Sequence, residues 1–306
     1  MDTFRVADGV YGIDVGMFGS GVTAVYLFDG EAPTLVDAGT AAGAEAILYG
    51  LADCGVEPAD LQNLVLSHVH ADHSGAASVL VEAAPDLDVY IHELTAPHLI
   101  DPSGLVESSR RAMGEHFELL GAQGPVPEEN VVPVSNDGTT IDLGATTDGG
   151  TSTLEMIYAP GHSPDHFAVW NPERSLLFAA ECLGLYMPEA DRWFPPATLP
   201  NFSVSQTEEA IATLRGLDPE TIVFPHYGVW PRAPEEAFDV AEAELARFDE
   251  RILGLYEASG SVEGTKRAVA AELIDLSPPY ESVVESFFAS MVTDGFLRDR
   301  GVTASD

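Results

Sequence analysis

The stretch Ser67-His68-Val69-His70-Ala71-Asp72-His73-Ser74-Gly75 constrains this chain more than any other. It follows an apolar strand pattern, Leu64–Ser67, and puts three histidines and one aspartate within six residues at a strand-to-helix junction. A single imidazole at such a place is commonly satisfied by the backbone. Three beside a carboxylate are hard to house, because each needs partners and protonating all of them would stack positive charge. A metal ion removes the difficulty by taking the lone pairs. The alternation of His68 and His70 presents two nitrogens to one ion, while Asp72 and His73 turn toward a second.

On either side the pattern alternates between short apolar strands and helices. Strands are expected at Val10–Val15, Val22–Phe28, Thr34–Asp37, Leu64–Ser67, Asp88–His92, Val131–Val134, Thr139–Leu143, Thr153–Tyr158, Phe167–Trp170, Ser175–Ala180 and Thr221–Phe224. Helices are expected at Ala41–Leu51, Ala76–Ala84, Val106–Leu120 and Thr207–Leu214. This mixture predicts an α+β class of packed sheets covered by helices. From Pro234 the pattern is helical only, over Pro234–Glu257, Val262–Leu273 and Tyr280–Asp294, with breaks at Ala258–Ser261 and Ser277-Pro278-Pro279.

The HxHxDH motif resembles that of the metallo-β-lactamase fold superfamily, and further segments follow in the same order. Asp37-Ala38-Gly39 looks like the family's D-x-G turn. Gly161-His162-Ser163-Pro164-Asp165-His166 is similar to its G-H-S/T-x-x-H segment, Leu177–Glu181 to the strand that ends in aspartate, and Pro225-His226-Tyr227-Gly228 to the last histidine segment. The likeness covers roughly residues 10–230 and implies a four-layer αββα sandwich. It divides the chain into a catalytic domain, 1–232, and a C-terminal helical, winged-helix-like appendage, 233–306. The appendage is expected to act as a lid, a homodimer contact or a core-covering cap. The His92-Glu93-Leu94, Leu99-Ile100-Asp101-Pro102 and Pro-Val-Pro-Glu segments look like a branch of hydrolases related to glyoxalase II.

Carried over by position, the resemblance implies that His68, His70 and His162 hold one zinc ion. Asp72, His73 and His226 hold the second, with Glu181 in the bridging place. Such a centre activates water against an ester, thioester or lactone; Asp72 shuttles the proton and Asp37 orients the metal loop. Glu181 departs from the family's usual aspartate, and if it faced solvent the centre would be mononuclear. The alternative is an oxidoreductase resembling persulfide dioxygenases, with one iron on His68, His162 and Glu181. A flavodiiron oxidoreductase is disfavoured, because position 70 is histidine where that HxExDH pattern has glutamate and no flavodoxin-like domain follows. His166 is read as a supporting group, and His92, His98 and His116 as structural, with a place in a substrate pocket as the alternative for each. Tyr227 is either core or a hydrogen-bond donor to substrate. The segment Gly184–Phe202 is either a packed loop or a pocket lined by Tyr186, Trp193 and Phe194.

Charge narrows the partners. Asp and Glu number 50 against 13 Lys and Arg, a formal net charge of −37, and Lys266 is the only lysine. The acids run from Asp2 to Asp306 without a block, which resembles proteins of extreme halophiles, whose self-repulsion is screened by salt. Nucleic acid and anionic membranes are poor partners for such a surface, and an RNA substrate is disfavoured with them; a small-molecule substrate is expected. Cys54 and Cys182 form no framework, no apolar run approaches the roughly 20 residues of a membrane span, and the N-terminus lacks a signal-peptide pattern, so a cytoplasmic location is expected.

Overall fold

The structure, a computed structural model, describes residues 2–17, 19, 21–145, 150–274, 276 and 282–302, with the backbone alone at 282 and 283. Among the described residues seven strands pair in sequence order: β1 (Thr3–Ala7), β2 (Val10–Asp14), β3 (Ala24–Phe28), β4 (Thr34–Val36), β5 (Asn63–Val65), β6 (Asp88–His92) and β7 (Val131–Val134). A second sheet is built from β8 (Thr139–Ala145), β9 (Thr151–Tyr158), β10 (Phe167–Asn171) and β11 (Leu176–Phe178). Past the hairpin β12 (Leu185–Met187) and β13 (Arg192–Phe194), it is completed by β14 (Thr221–Phe224) and β15 (Gly228–Val229). Its spatial order is β15-β14-β11-β10-β9-β8.

Alternation along β3 shows how the layers are specified. Ala24, Tyr26 and Phe28 face the second sheet and meet Phe167, Val169, Phe178 and Val223. Val25 and Leu27 point the other way, into a core shared with α1 (Ala44–Asp53) and with the later α3 (Ala77–Ala83). Every residue of β3 is buried, as expected for a strand covered on both faces. The outer face of the second sheet, with Trp170, Leu177, Ile222 and Phe224, lies under α6 (Val204–Arg215), α7 (Pro234–Ser259), α8 (Val262–Glu272) and α9 (Ser282–Asp299). The result is the four-layer αββα order. The C-terminal helices share one continuous core with β11 and β14 through Phe238, Phe248 and Phe296.

The expected elements are recovered with small shifts, and the differences have local causes. The helix expected over Val106–Leu120 is α5 (Ser103–Met113), preceded by the short α4 (Ala96–Ile100). Gly114 at φ 54° ends α5, and a tighter 3₁₀ turn continues to Leu119. The break at Ser277-Pro278-Pro279 and the start of the last expected helix at Tyr280 lie outside the described residues. The aromatics of Gly184–Phe202 belong to the core. Phe194 stacks on Phe288 at 5.6 Å, Trp193 meets Phe224 at 5.2 Å, and Tyr186 meets Trp230 at 5.0 Å. Apolar rings on a hairpin beneath three helices satisfy themselves by burial.

One close approach ties the first sheet to the motif. Gly75 follows α2 (Ala71–Ser74) and donates its N–H to the Gly39 carbonyl at 2.8 Å. A Cβ at Gly75 would stand 2.4 Å from the Ala71 carbonyl oxygen and 2.5 Å from the Ala41 nitrogen, both backbone atoms that cannot swing aside. Gly75→Ala is expected to lower the unfolding free energy by about 1–3 kcal/mol, measured by denaturant titration.

Candidate metal centre

β9, β11 and β14 run in one direction, since β9 and β11 both flank β10 antiparallel and β14 pairs β11 in parallel. Their C-terminal ends open on the same edge of the sandwich, and the segments that follow carry His162, Glu181 and His226. From the first sheet, β5 leads into His68 and His70, and α2 carries Asp72 and His73. Donor atoms of His68, His70, His162 and Glu181 form one group, and those of Asp72, His73 and His226 a second, with every atom of a group within 4.8 Å of the others. Glu181, 4% exposed, stands between them. Its Oε2 lies 2.8 Å from His162 Nε2, 3.2 Å from His68 Nε2 and 3.3 Å from His73 Nε2, while Oε1 lies 3.8 Å from His226 Nε2. Asp72 Oδ2 is 3.6 Å from His73 Nε2 and 3.5 Å from His226 Nε2. All seven residues singled out in the sequence are thus brought together, and Glu181 does not face solvent.

The ring orientations follow from hydrogen bonds made behind the cluster. Asp37, held at φ 60° at the end of β4, accepts from the Ser67 N–H at 2.8 Å, the Ser67 hydroxyl at 3.0 Å and His73 Nδ1 at 2.7 Å. Because the Ser67 hydroxyl donates to Asp37, its oxygen accepts from His68 Nδ1 at 3.0 Å. His162 Nδ1 donates to the Pro196 carbonyl at 2.8 Å, and His226 Nδ1 to the Val22 carbonyl at 3.3 Å. With Nδ1–H tied outward in these four rings, each Nε2 turns a lone pair inward. His70 points Nδ1 into the same space, 2.9 Å from His68 Nε2 and 3.0 Å from His162 Nε2.

Lone pairs and carboxylate oxygens therefore converge without hydrogens between them, and buried His73 Nε2 has no hydrogen-bond partner. Imidazole nitrogens and carboxylate oxygens in this arrangement fit one or two small divalent cations of the zinc or iron type. Electrostatics tell the same story for the bare cluster. Burial would raise the Asp72 and Glu181 carboxyls, but His73 and His226 around Asp72, and His162, His68 and His73 around Glu181, outweigh it and hold both well below the usual carboxylate range. Burial would lower His73 and His162, yet Asp72 and Asp37 raise the first and Glu181 the second above an ordinary imidazole. His68 and His70 stay low, chiefly through burial and then neighbouring imidazoles.

Two supporting groups carry more than the sequence signalled. Asp165 accepts from the Val69 N–H at 3.0 Å, the Thr95 hydroxyl at 2.8 Å and the Ser163 hydroxyl at 2.6 Å, fastening the His68–His70 segment to the His162 segment. His166 belongs to neither donor group. Its Nε2 accepts the Glu181 N–H at 3.2 Å, so Nδ1–H faces the Cys182 sulfur at 3.2 Å, and the Cys182 thiol reaches the Ala159 carbonyl at 3.6 Å. Burial first, then the neighbouring His162, pushes His166 down to about 3, which keeps this ring neutral. Gly-His-Ser-Pro-Asp-His signals where these residues are, but a carboxylate or imidazole whose partners come from distant segments is visible only once the loops meet.

The remaining histidines and Tyr227 are elsewhere. His92 bonds Asn136 at 2.7 Å between Tyr158 and Phe167, and His98 is exposed. The Tyr227 ring packs on Phe4, and its hydroxyl points to Asp14 at 3.4 Å, away from the donor groups.

Residues 18–226 match the sequence profile described as the metallo-beta-lactamase superfamily. The chain belongs to that superfamily. A superfamily relative, the probable metallo-hydrolase YqjP of Bacillus subtilis, is 28% identical over 69% of this chain and 68% of its own length. The rubredoxin-oxygen oxidoreductase of Megalodesulfovibrio gigas is 26% identical over 69% of this chain, which spans 49% of that longer protein. In fold, the chain resembles an archaeal metallo-beta-lactamase superfamily protein from Sulfolobus tokodaii, with a TM-score of 0.66 at 18% identity, covering 97% of this chain and all of that one. That likeness extends through the C-terminal helices. Among the described residues no helix is long and apolar enough to cross a membrane.

Asp37 fixes His73 and, through Ser67, His68, so its charge should be felt at the metal. Asp37→Asn is expected to weaken zinc binding about 10- to 100-fold with far-ultraviolet circular dichroism unchanged, measured by competition with a chromophoric chelator.

Proposed function

We propose that this chain is a hydrolase with two zinc ions per chain, which cleaves an ester, thioester or lactone of a small molecule. The observation that carries the reading is the pair of donor groups joined by Glu181: His68, His70 and His162 would hold one ion, and Asp72, His73 and His226 the other, with the glutamate shared. The name of the Bacillus subtilis relative, a probable metallo-hydrolase, agrees with it. When bound, two such ions lower the pKa of a shared water and polarise the scissile carbonyl.

The chain's own residues do the rest. Asp72 is the most open carboxylate of the cluster, its side chain 25% exposed, and its neighbours His73 and His226 keep it ionised. It takes the proton of the attacking water. As the acyl C–O or C–S bond breaks, the same carboxylate returns the proton to the departing alkoxide or thiolate, so the reaction balances without an external acid. Asp37, Asp165 and His166 hold the donors in place. Nucleic acid is disfavoured as substrate by the charge of −37, which also favours a salt-rich cytoplasm as the working medium.

A second reading has support of its own. His68, His162 and Glu181 make a two-histidine, one-carboxylate set of the kind that holds a single iron, and one relative is named as an oxidoreductase. It leaves Asp72, His73 and His226 without employment, which is why the hydrolase is preferred.

A panel of one carboxyl ester, one thioester and one γ-lactone, assayed with zinc-loaded protein in about 3 M KCl, tests the reading. At least one should turn over, and His70→Ala should lower that rate about a thousandfold, about 4 kcal/mol of transition-state stabilisation. Glu181→Asp should keep the activity. Full activity in His70→Ala would sink the two-ion mechanism.

A further inference from the structure

Ala71, between His70 and Asp72, packs in a small apolar cluster with Met17, Met113, Phe117, Leu120 and Phe287. Met113 and Phe287 also line a cleft of about 470 Å³ between α5 and α9. From the other side the cleft is closed by Thr198 and Leu199, two and three residues past the Pro196 carbonyl that holds His162 Nδ1. Short segments thus lead from this space to His70 and Asp72 on one side and to the Pro196 carbonyl behind His162 on the other. Its volume lies within the range of small-molecule pockets.

The walls state what they would accept. Met113, Leu199, Phe287 and Met291 supply the apolar surface, and Leu199 is 41% exposed at the rim. Two methionines give a surface that adapts to a flexible chain. Among the described lining residues there is no arginine or lysine to meet a phosphate or carboxylate tail. The acid of the lining, Asp294, is already paired with Lys266 Nζ at 2.7 Å, so a cationic tail would have to compete for it. Polar contributions otherwise come from neutral hydroxyls and His116.

We infer that this cleft takes an uncharged, flexible apolar acyl chain, so that the substrate is an acyl ester, thioester or acyl-bearing lactone whose chain lies between α5 and α9 while its carbonyl faces the metal centre. The inference deepens the hydrolase reading and rests on it for the identity of the reaction, although the cleft's preference for an apolar chain has its own test.

Two measurements separate these. With zinc-loaded protein, kcat/KM for p-nitrophenyl esters from acetyl to decanoyl should rise about threefold per added methylene until the cleft is filled. Independently, the neutral probe N-phenyl-1-naphthylamine should fluoresce on binding and be displaced by decanamide. Ser290→Trp, which fills the cleft from α9, should abolish the probe signal and flatten the chain-length series. Ala112→Trp, from α5, does the same from the opposite wall should the first variant not fold. Probe binding lost in the tryptophan variant with no ester hydrolysed would support the cleft and overturn the hydrolase. A flat series on an active enzyme, or probe binding unaltered by both tryptophans, would overturn the cleft.

Discussion

Seven side chains turn unshared electron pairs into one buried volume, and much of the surrounding structure exists to keep them there. Bare, such a cluster is unfavourable. Lone pairs of His68, His162 and His73 lie within 3.3 Å of a carboxylate oxygen of Glu181, and only protons or a cation can reconcile them. Protons do so incompletely, since burial opposes charge on His68, His70, His73 and His162. The backbone is committed to this arrangement before any ligand arrives. Asp37 sits at positive φ so that one carboxylate can serve both Ser67 and His73, and Gly75 lets the motif helix close against the Asp37–Gly39 turn. Three sheet strands running the same way deliver His162, Glu181 and His226 to the same edge.

How much of this was legible depended on whether a residue's role is local. The histidine motif carried its own evidence, because no other use explains three imidazoles and a carboxylate so close together. Strands β3, β7 and β14 were visible as apolar runs of strand length. His162, Glu181 and His226 were found only because their segments resemble a family's in order; spacing alone does not bring residues more than 90 apart into contact. Asp165 and the His166–Cys182 pair were legible as positions but not as roles. What makes Asp165 matter is the Thr95 hydroxyl and Val69 N–H that meet it from other loops. The aromatics of Gly184–Phe202 mark the limit of composition as a guide. Rings suit a pocket and a core equally, and the hairpin that turns Phe194 under Phe288 decides for the core.

The C-terminal helices border both the core of the second sheet and the cleft between α5 and α9. Along α7 and α9, Phe248, Phe296 and Phe288 complete the core of the second sheet. On the same α9, Phe287 and Met291 line the cleft between α5 and α9. One helix thus packs into the core on one face and lines that cleft on another. The strongly acidic surface bears on neither directly; its repulsion of anions bears on the kind of ligand that can approach.

The proposed two-ion hydrolase needs both donor groups occupied, with His68, His70 and His162 holding one ion, Asp72, His73 and His226 the other, and Glu181 available to both. Elemental analysis of protein purified without chelators in about 3 M KCl, before and after zinc reloading, tests it most directly. Close to two zinc per chain is the expected result. A stable content of one iron per chain would favour the single-iron reading, and protein that binds no metal after reloading would contradict the account outright.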